Sequence, residues 1–307
     1  MIEVQDIEPL TKYDWDELMD NISDKNCTPF IGAGACSGVL PLAREISNEW
    51  AETFDYPFED KSDLARVSQF LAIKQSEIYP KKTIKRIFNT RKPPDFSQAD
   101  EPHAVLADLN LPIYITTNYD NFMLQALKYR AKNDAKEEFC RSNKFTVNYD
   151  MVPRPIFESG YNPTPDSPLV YHLHGFMEVP ESMVLTESDY LDFLVGLSRG
   201  DFKLPTSINM ALARTSLLFL GYSLADWDFR VLFRGLVYSA KANASYSSIA
   251  VQLPPNVQDQ RKQEAFRYLD KYMEKIHGVK LRVYWGNVRE FSKELRNRWE
   301  ENVRHAA

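Results

Sequence analysis

A chain of 307 residues, 44% hydrophobic and 26% charged, has an ordinary globular balance with material for a sizeable core; length alone leaves one large domain or two smaller ones open. A formal charge of −6 argues against a broad nucleic-acid-binding face, so no direct nucleic-acid partner is expected. No apolar stretch approaches the roughly 18–20 residues that span a bilayer, and the polar start MIEV at residues 1–4 is not a secretion signal, which predicts a cytoplasmic protein without a membrane partner.

In chain order, a first strand is predicted at 28–31 and a helix at 42–54. A long, mostly helical insertion follows at about 60–109. It carries KKTIKR at 81–86, which reads as the solvated face of a helix, and then the breaker Lys92-Pro93-Pro94. Strand 112–116 leads into helix 121–131, and the proline-bearing stretch 152–168 reads as a loop or lid. Further strand–helix pairs are predicted at 169–173 and 188–194, 216–221 and 227–239, 248–252 and 258–276, and 280–284 and 289–304. Near-continuous apolar strands alternating with amphipathic helices indicate an α/β fold with a Rossmann-like, doubly wound, mostly parallel sheet covered on both faces. The expected organisation is one domain over 1–307. Its core takes up about 25–59 and 110–290, the insertion at about 60–109 forms a smaller helical subdomain, and 290–307 is a C-terminal helix.

Cys27, Cys36 and Cys140 are scattered and odd in number, with no Cys-x-x-Cys pair, so they read as free thiols rather than a disulfide framework or a zinc ribbon.

Four strand ends carry groups suited to chemistry. After the first strand comes FIGAGACSG at 30–38, where glycines permit a tight turn and close approach to a ligand such as a diphosphate, although tight strand-to-helix turns use the same residues structurally. A dehydrogenase would next need a second strand ending in an acid about 20 positions on. Glu52 and Asp55 have that offset but follow a helix, so the hydride-transfer reading fails. The second end is ITTNYD at 115–120. Asn118 caps nothing, and its amide can donate to and accept from a ribose hydroxyl or a water, whereas Asp120 suits either a helix cap or a ligand contact. The third is VYHLHG at 170–175. Period-two alternation predicts His172 and His174 on one face, with His174 at the crevice as a general base titrating near neutral pH and His172 as buried support. The fourth is LGYSLADWD at 220–228, where Gly221 permits close approach, Ser223 can bond a phosphate or ribose, and Asp226 reads as a helix cap.

Taken in this order, GAG at 32–34, TTNYD at 116–120, LHG at 173–175 and GYSLADWDF at 221–229 resemble the sirtuin-type NAD-binding family, in particular its bacterial sirtuin-like branch. The resemblance runs from about residue 27 to 252. It implies that NAD is bound as substrate, with Gly32, Ala33 and Gly34 lining the diphosphate, Asn118 and Asp120 at the nicotinamide ribose, His174 as base, and Gly221 and Ser223 at the adenosine half. Cys36, with Ser37 adjacent, stands where the family usually has serine, and Thr117 stands where it has glutamine; Cys36, Ser37 and Thr117 are all carried over as contacts to NAD. The four-cysteine zinc module of protein-deacylating relatives cannot be built from three cysteines, so no zinc or other metal is expected.

Relatives with this pattern are typically NAD-hydrolysing effectors of bacterial antiphage defence. The resemblance therefore implies an NAD hydrolase that cleaves the nicotinamide–ribose bond through Asn118 and His174. The alternatives are a protein deacylase or ADP-ribosyl transferase and a non-catalytic NAD-binding or ADP-ribose-binding module. Because the chain ends soon after the catalytic motifs, control is expected from a homo-oligomer or from another protein, such as a HerA-type ATPase or an Argonaute. An apolar stripe of Phe291, Leu295 and Trp299 in the last helix reads as core packing, with partner contact as the other possibility.

Overall fold

The computed structural model describes residues 10–141, 154–200, 203–223, 247–254 and 280–306, together with positions 235, 261, 264, 265 and 268. Seven strands lie within these: β1 Cys27–Ile31, β2 Ile113–Thr116, β3 Lys136–Phe139, β4 Leu169–His172, β5 Ser216–Leu220, β6 Ser247–Gln252 and β7 Lys280–Trp285. They form one sheet in the order β3-β4-β2-β1-β5-β6-β7, with every neighbouring pair parallel. The chain builds outward from β1 through β2 to β4 and β3, then returns to the other side of β1 with β5. This is the doubly wound parallel arrangement that the alternation of strands and helices predicts.

A parallel sheet must bury both faces, and the strand residues divide accordingly. On one face Phe30, Ile115, Tyr171 and Phe219 pack against α7 (Glu187–Arg199) and α8 (Thr206–Arg214). On the other, Ile31, Tyr114, Val170 and Leu218 pack against α1 (Lys12–Ser23), α5 (Pro102–Asp108), α6 (Phe122–Tyr129) and the C-terminal α9 (Val288–Ala306). The stripe on α9 is spent here: Phe291 and Leu295 are fully buried, Phe291 stacks on Trp15 at 5.3 Å, and the Trp299 indole donates to the Asp108 carbonyl.

Three further helices, α2 (Ala43–Thr53), α3 (Leu64–Lys74) and α4 (Tyr79–Asn89), share a separate cluster built on Ile46, Trp50, Leu71 and Ile84. Met183 and Leu185, from the segment between β4 and α7, complete this cluster and tie it to the sheet. The basic run on α4 is solvated only in part: Lys82 and Arg86 are exposed, as expected, but the other two lysines are engaged. Lys81 is buried and pairs with Asp189 at 2.9 Å, and Lys85 pairs with Glu178 at 2.8 Å, so the lysines clamp α4 onto the β4–α7 segment.

Strand β3 and helices α1 and α8 were not among the predicted elements. The described part of the expected loop or lid, residues 154–168, lies along β3, where the Ile156 amide donates to Glu138. The expected helices at 227–239 and 258–276 lie almost wholly outside the described residues, as does Asp226. No helix among the described residues is long and apolar enough to cross a membrane.

Candidate active site

The carboxyl ends of β1, β2, β4 and β5 converge on a cavity of about 260 Å3, near the lower end of the range for small-molecule sites. Ala33 and Cys36 line it from the β1 turn, Thr117, Asn118 and Asp120 from the β2 end, His174 from the β4 end, and Gly221 and Ser223 from the β5 end. Eight of the eleven residues singled out in the sequence thus line one cavity. Gly32, Gly34 and Ser37 do not line it, and Ser37 is exposed. Tyr119, Tyr190, Phe193 and Tyr222 also line the cavity and carry no signal in the strand-end motifs that separates them from core aromatics.

The three glycines nearest the β1 turn are required by the chain itself. Gly221 sits at φ +79°, and a Cβ there would come within 2.6 Å of the Gly32 carbonyl; a Cβ on Gly34 would reach Gly221 Cα at 2.8 Å. The β1 and β5 turns therefore touch backbone to backbone, which only glycine allows. Residues Ala33–Cys36 form a single 3-10 turn rather than the start of α2, and the amides of Gly32, Gly34, Ala35 and Ser37 are all given to protein carbonyls.

Asn118 is held on three sides. Its amide N–H donates to Thr116 Oγ1 at 3.0 Å, and its carbonyl accepts from His172 Nδ1 at 3.0 Å. Its side-chain Nδ2 donates to the Gly32 carbonyl at 3.1 Å and to Cys36 Sγ at 3.4 Å. Both amide hydrogens are thus used within the protein. Oδ1 has no partner among the described residues, so the group meets a ligand as an acceptor. Asp120 Oδ1 accepts from the Phe122 amide at the start of α6, as a helix-start role requires, and Oδ2 accepts from the Cys36 thiol at 3.4 Å; the residue also lines the cavity. The Thr117 hydroxyl is committed to Tyr222 Oη at 2.8 Å, which in turn donates to the Ile31 carbonyl.

The two histidines do not share surroundings. Strand β4 ends at His172, so period-two alternation does not carry on to His174. His172 is buried, stacks on Phe176, and places Nε2 3.1 Å from Glu137 Oε1. Burial is the largest influence on its pKa and lowers it, but hydrogen bonding and charge attraction from Glu137, with the Asn118 carbonyl, outweigh burial and raise it above its ordinary value. His174 turns instead toward α7, with the rings of Tyr190 and Phe193 edge-on at 5.4 and 5.1 Å. Its Nε2 is buried without a hydrogen-bond partner among the described residues, and burial pushes its pKa down to about 3. The imidazole is neutral at physiological pH, well clear of the near-neutral titration expected from the sequence. Gly175 follows at φ +74°, where a Cβ would run into the Ser182 carbonyl.

Sequence reasoning missed His103. It is fully buried at the start of α5, its Nδ1 lies 2.8 Å from Glu101 Oε1, and its Nε2 faces Cys36 Sγ at 3.9 Å. A histidine 67 positions from Cys36 within a helical insertion offers no local signal for that meeting.

Residues 112–276, more than half of the chain, match the SIR2-like domain family. An NAD(+) hydrolase ThsA from Cytobacillus dafuensis is 26% identical over 226 residues, covering 70% of this chain and 39% of that protein. A second NAD(+) hydrolase ThsA, from Acinetobacter baumannii, is 25% identical over 219 residues, covering 69% of this chain and 39% of its own length. The chain therefore spans 39% of the length of these relatives. A solved structure of a Sir2 enzyme is 15% identical, with a TM-score of 0.42 over 94% of this chain and 99% of its own.

Proposed function

This chain belongs to the SIR2-like domain family, and from that premise we propose that it hydrolyses NAD+ at the nicotinamide–ribose bond, releasing nicotinamide and ADP-ribose. The observation that carries the reading is that one cavity is lined both by Asn118, whose Oδ1 is unpartnered among the described residues, and by the neutral His174, whose buried Nε2 is likewise unpartnered there. The name NAD(+) hydrolase on relatives that align with 70% and 69% of the chain supports it.

Cleavage of this bond moves positive charge from the nicotinamide ring to the ribose, so nicotinamide leaves neutral and needs no strong acid. The protein's work is to hold the ribose, favour the oxocarbenium-like cation and place a water. In the proposed mechanism Asn118 Oδ1 accepts from a ribose hydroxyl or from the water, oriented by the bonds of Nδ2 to Gly32 and Cys36. The Asp120 carboxylate contributes negative charge to the same cavity. His174 takes the proton released when water adds to the ribose carbon. A base with a pKa near 3 suffices, because water adding to such a cation becomes far more acidic than an imidazolium. Leaving a buried ring nitrogen unpartnered costs about 1–3 kcal/mol, and a ligand hydrogen bond removes that cost.

Ala33, Cys36, Thr117, Gly221 and Ser223 line the rest of the proposed NAD site, with Gly32, Gly34 and Ser37 shaping the turn behind them. The same reading makes the protein a cytoplasmic, NAD-depleting effector of bacterial antiphage defence. An unrestrained NAD hydrolase would poison its host, so activity is gated by self-assembly or by a partner such as a HerA-type ATPase or an Argonaute. The α9 stripe is occupied by the protein's own core, so such contacts use another surface.

Incubating the purified chain with NAD, with and without an acetylated peptide and neighbouring gene products, and measuring nicotinamide and ADP-ribose by mass spectrometry tests the reading. Nicotinamide release is expected without the peptide, and His174→Ala lowers it about 10²–10⁴-fold. Peptide-dependent release, or full turnover in the variant, overturns it.

A further inference from the structure

The Cys36, His103 and Asp120 side chains are all buried, and one donor atom from each lies within 4.8 Å of the other two. Cys36 Sγ is 3.4 Å from Asp120 Oδ2 and 3.9 Å from His103 Nε2. Around a tetrahedral zinc ion, with metal–ligand bonds of about 2.0–2.3 Å, neighbouring donors stand roughly 3.3–3.6 Å apart. The Cys36–Asp120 pair already has that spacing, the Cys36–His103 pair is a few tenths of an ångström wide of it, and His103 and Asp120 lie within 4.8 Å of each other.

The surroundings orient these donors as a metal would require. Glu101 Oε1 receives His103 Nδ1–H, and Glu101 Oε2 is fixed by the Ala104 amide at 2.6 Å. A histidine whose Nδ1–H is committed to a carboxylate presents the lone pair of Nε2, the arrangement found behind metal-bound histidines. Asp120 Oδ1 is anchored by the Phe122 amide, which leaves Oδ2 for the cluster. Two carboxylates, Glu101 and Asp120, lie buried here beside a thiol, a donor set whose negative charge a dication neutralises. Three protein ligands with cavity space beside Cys36 and Asp120 leave a fourth position for water.

From this geometry we infer a site for one zinc-class divalent ion, held by Cys36 Sγ, His103 Nε2 and Asp120 Oδ2. Binding releases the Cys36 thiol proton to solvent, and the thiolate favours zinc and cobalt over magnesium or calcium. The site shares Cys36 and Asp120 with the cavity. A bound ion engages the Asp120 carboxylate and, after loss of the thiol proton, adds a net positive charge beside a forming ribose cation, so the loaded form is the inactive one. That consequence rests on the proposed NAD hydrolysis; the binding itself does not.

Metal-stripped full chain is titrated with Co2+, then with Zn2+. One cobalt per chain is expected, with a thiolate-to-cobalt charge-transfer band and tetrahedral d–d absorption, both displaced by zinc. Cys36→Ser abolishes the charge-transfer band, and His103→Gln weakens binding by about 10–100-fold or more, while Cys140→Ala retains the band. X-ray absorption of the zinc-loaded wild type, which needs no variant, finds one sulfur among the ligands. Saturating zinc lowers nicotinamide release at least about tenfold. A folded wild type that takes up no stoichiometric cobalt, a sulfur count other than one, or a band that survives Cys36→Ser in a folded variant overturns the site. Zinc that binds without slowing an active enzyme overturns only the inhibition. A chain that binds cobalt but never releases nicotinamide overturns the hydrolase reading and leaves the metal site standing.

Discussion

Replacing His174 by alanine removes a buried base that the fold holds neutral, and the consequence for acid stability follows from its pKa. The imidazole has an ordinary value of 6.5 and a folded value of about 3, set by burial. The unfolded chain therefore takes up a proton below pH 6.5 that the folded chain refuses until about pH 3. Stability from this group is fully present above 6.5 and is lost as pH falls toward 3. Between about pH 7.5 and about pH 5 the unfolded chain gains about 2 kcal/mol from protonating this one ring. Urea unfolding of wild type and His174→Ala at both pH values measures it. The variant is expected to lose about 2 kcal/mol less than wild type on acidification. His172 is shifted in the opposite sense, but it is present in both chains and cancels in the difference. Equal acid losses in the two proteins would refute the buried, neutral assignment. The same depressed pKa puts the acid limb of kcat/KM below about pH 5, because kcat/KM reports the free enzyme's base.

Gly221→Ala places a Cβ against the Ala35 amide nitrogen and the Gly32 carbonyl at a backbone φ of +79°, and neither neighbour is a side chain that can swing away. A loss of at least about 3 kcal/mol in unfolding free energy is expected, and a denaturation midpoint indistinguishable from wild type counts against the close contact of the β1 and β5 turns. Glu137→Gln removes the carboxylate that helps raise the His172 pKa. A raised folded pKa stabilises below the unfolded pKa and ceases to as pH rises through the folded one, so the variant should lose more stability near pH 6 than near pH 9. Denaturation curves at the two pH values check this, and a pH-independent loss removes the charged His172–Glu137 pair from the account.

Six of the seven strands were legible because parallel strands buried on both faces read as continuous apolar runs. The missed one, β3, reads Lys-Glu-Glu-Phe. Its carboxylates survive in an edge strand because Glu137 meets His172 while Glu138 accepts from Arg141 and the Ile156 amide, contacts made 18 and 35 positions apart or within a turn after the strand. Helix α1 did carry a local mark, the Thr11–Asp14 capping box, with aspartate in place of the usual glutamate or glutamine. The motifs at four strand ends were enough to gather most of the candidate site. They did not reveal why the glycines are there: the tight approach at 32, 34 and 221 is of chain to chain. Nor did they reveal His103, whose partner Cys36 lies in a different element.

The spacing of His172 and His174 carries the deeper lesson, because two identical side chains two positions apart have their pKa values driven in opposite directions. Both ring nitrogens of His172 face oxygen acceptors, the Asn118 carbonyl and Glu137, so only the imidazolium satisfies both. His174 faces aromatic edges and no hydrogen-bonding partner at Nε2, so only the neutral ring is tolerated. For the proposed chemistry each state has a purpose. His172 lies behind the Asn118 backbone, beside its own carboxylate Glu137, and fixes the residue that would hold the ribose. The neutral ring lines the cavity, where a cation would repel the charge growing on the ribose. Exchanging the two environments would leave the sequence motif intact and remove the base, which is why the pH dependence of His174→Ala tests the site more sharply than the loss of activity alone.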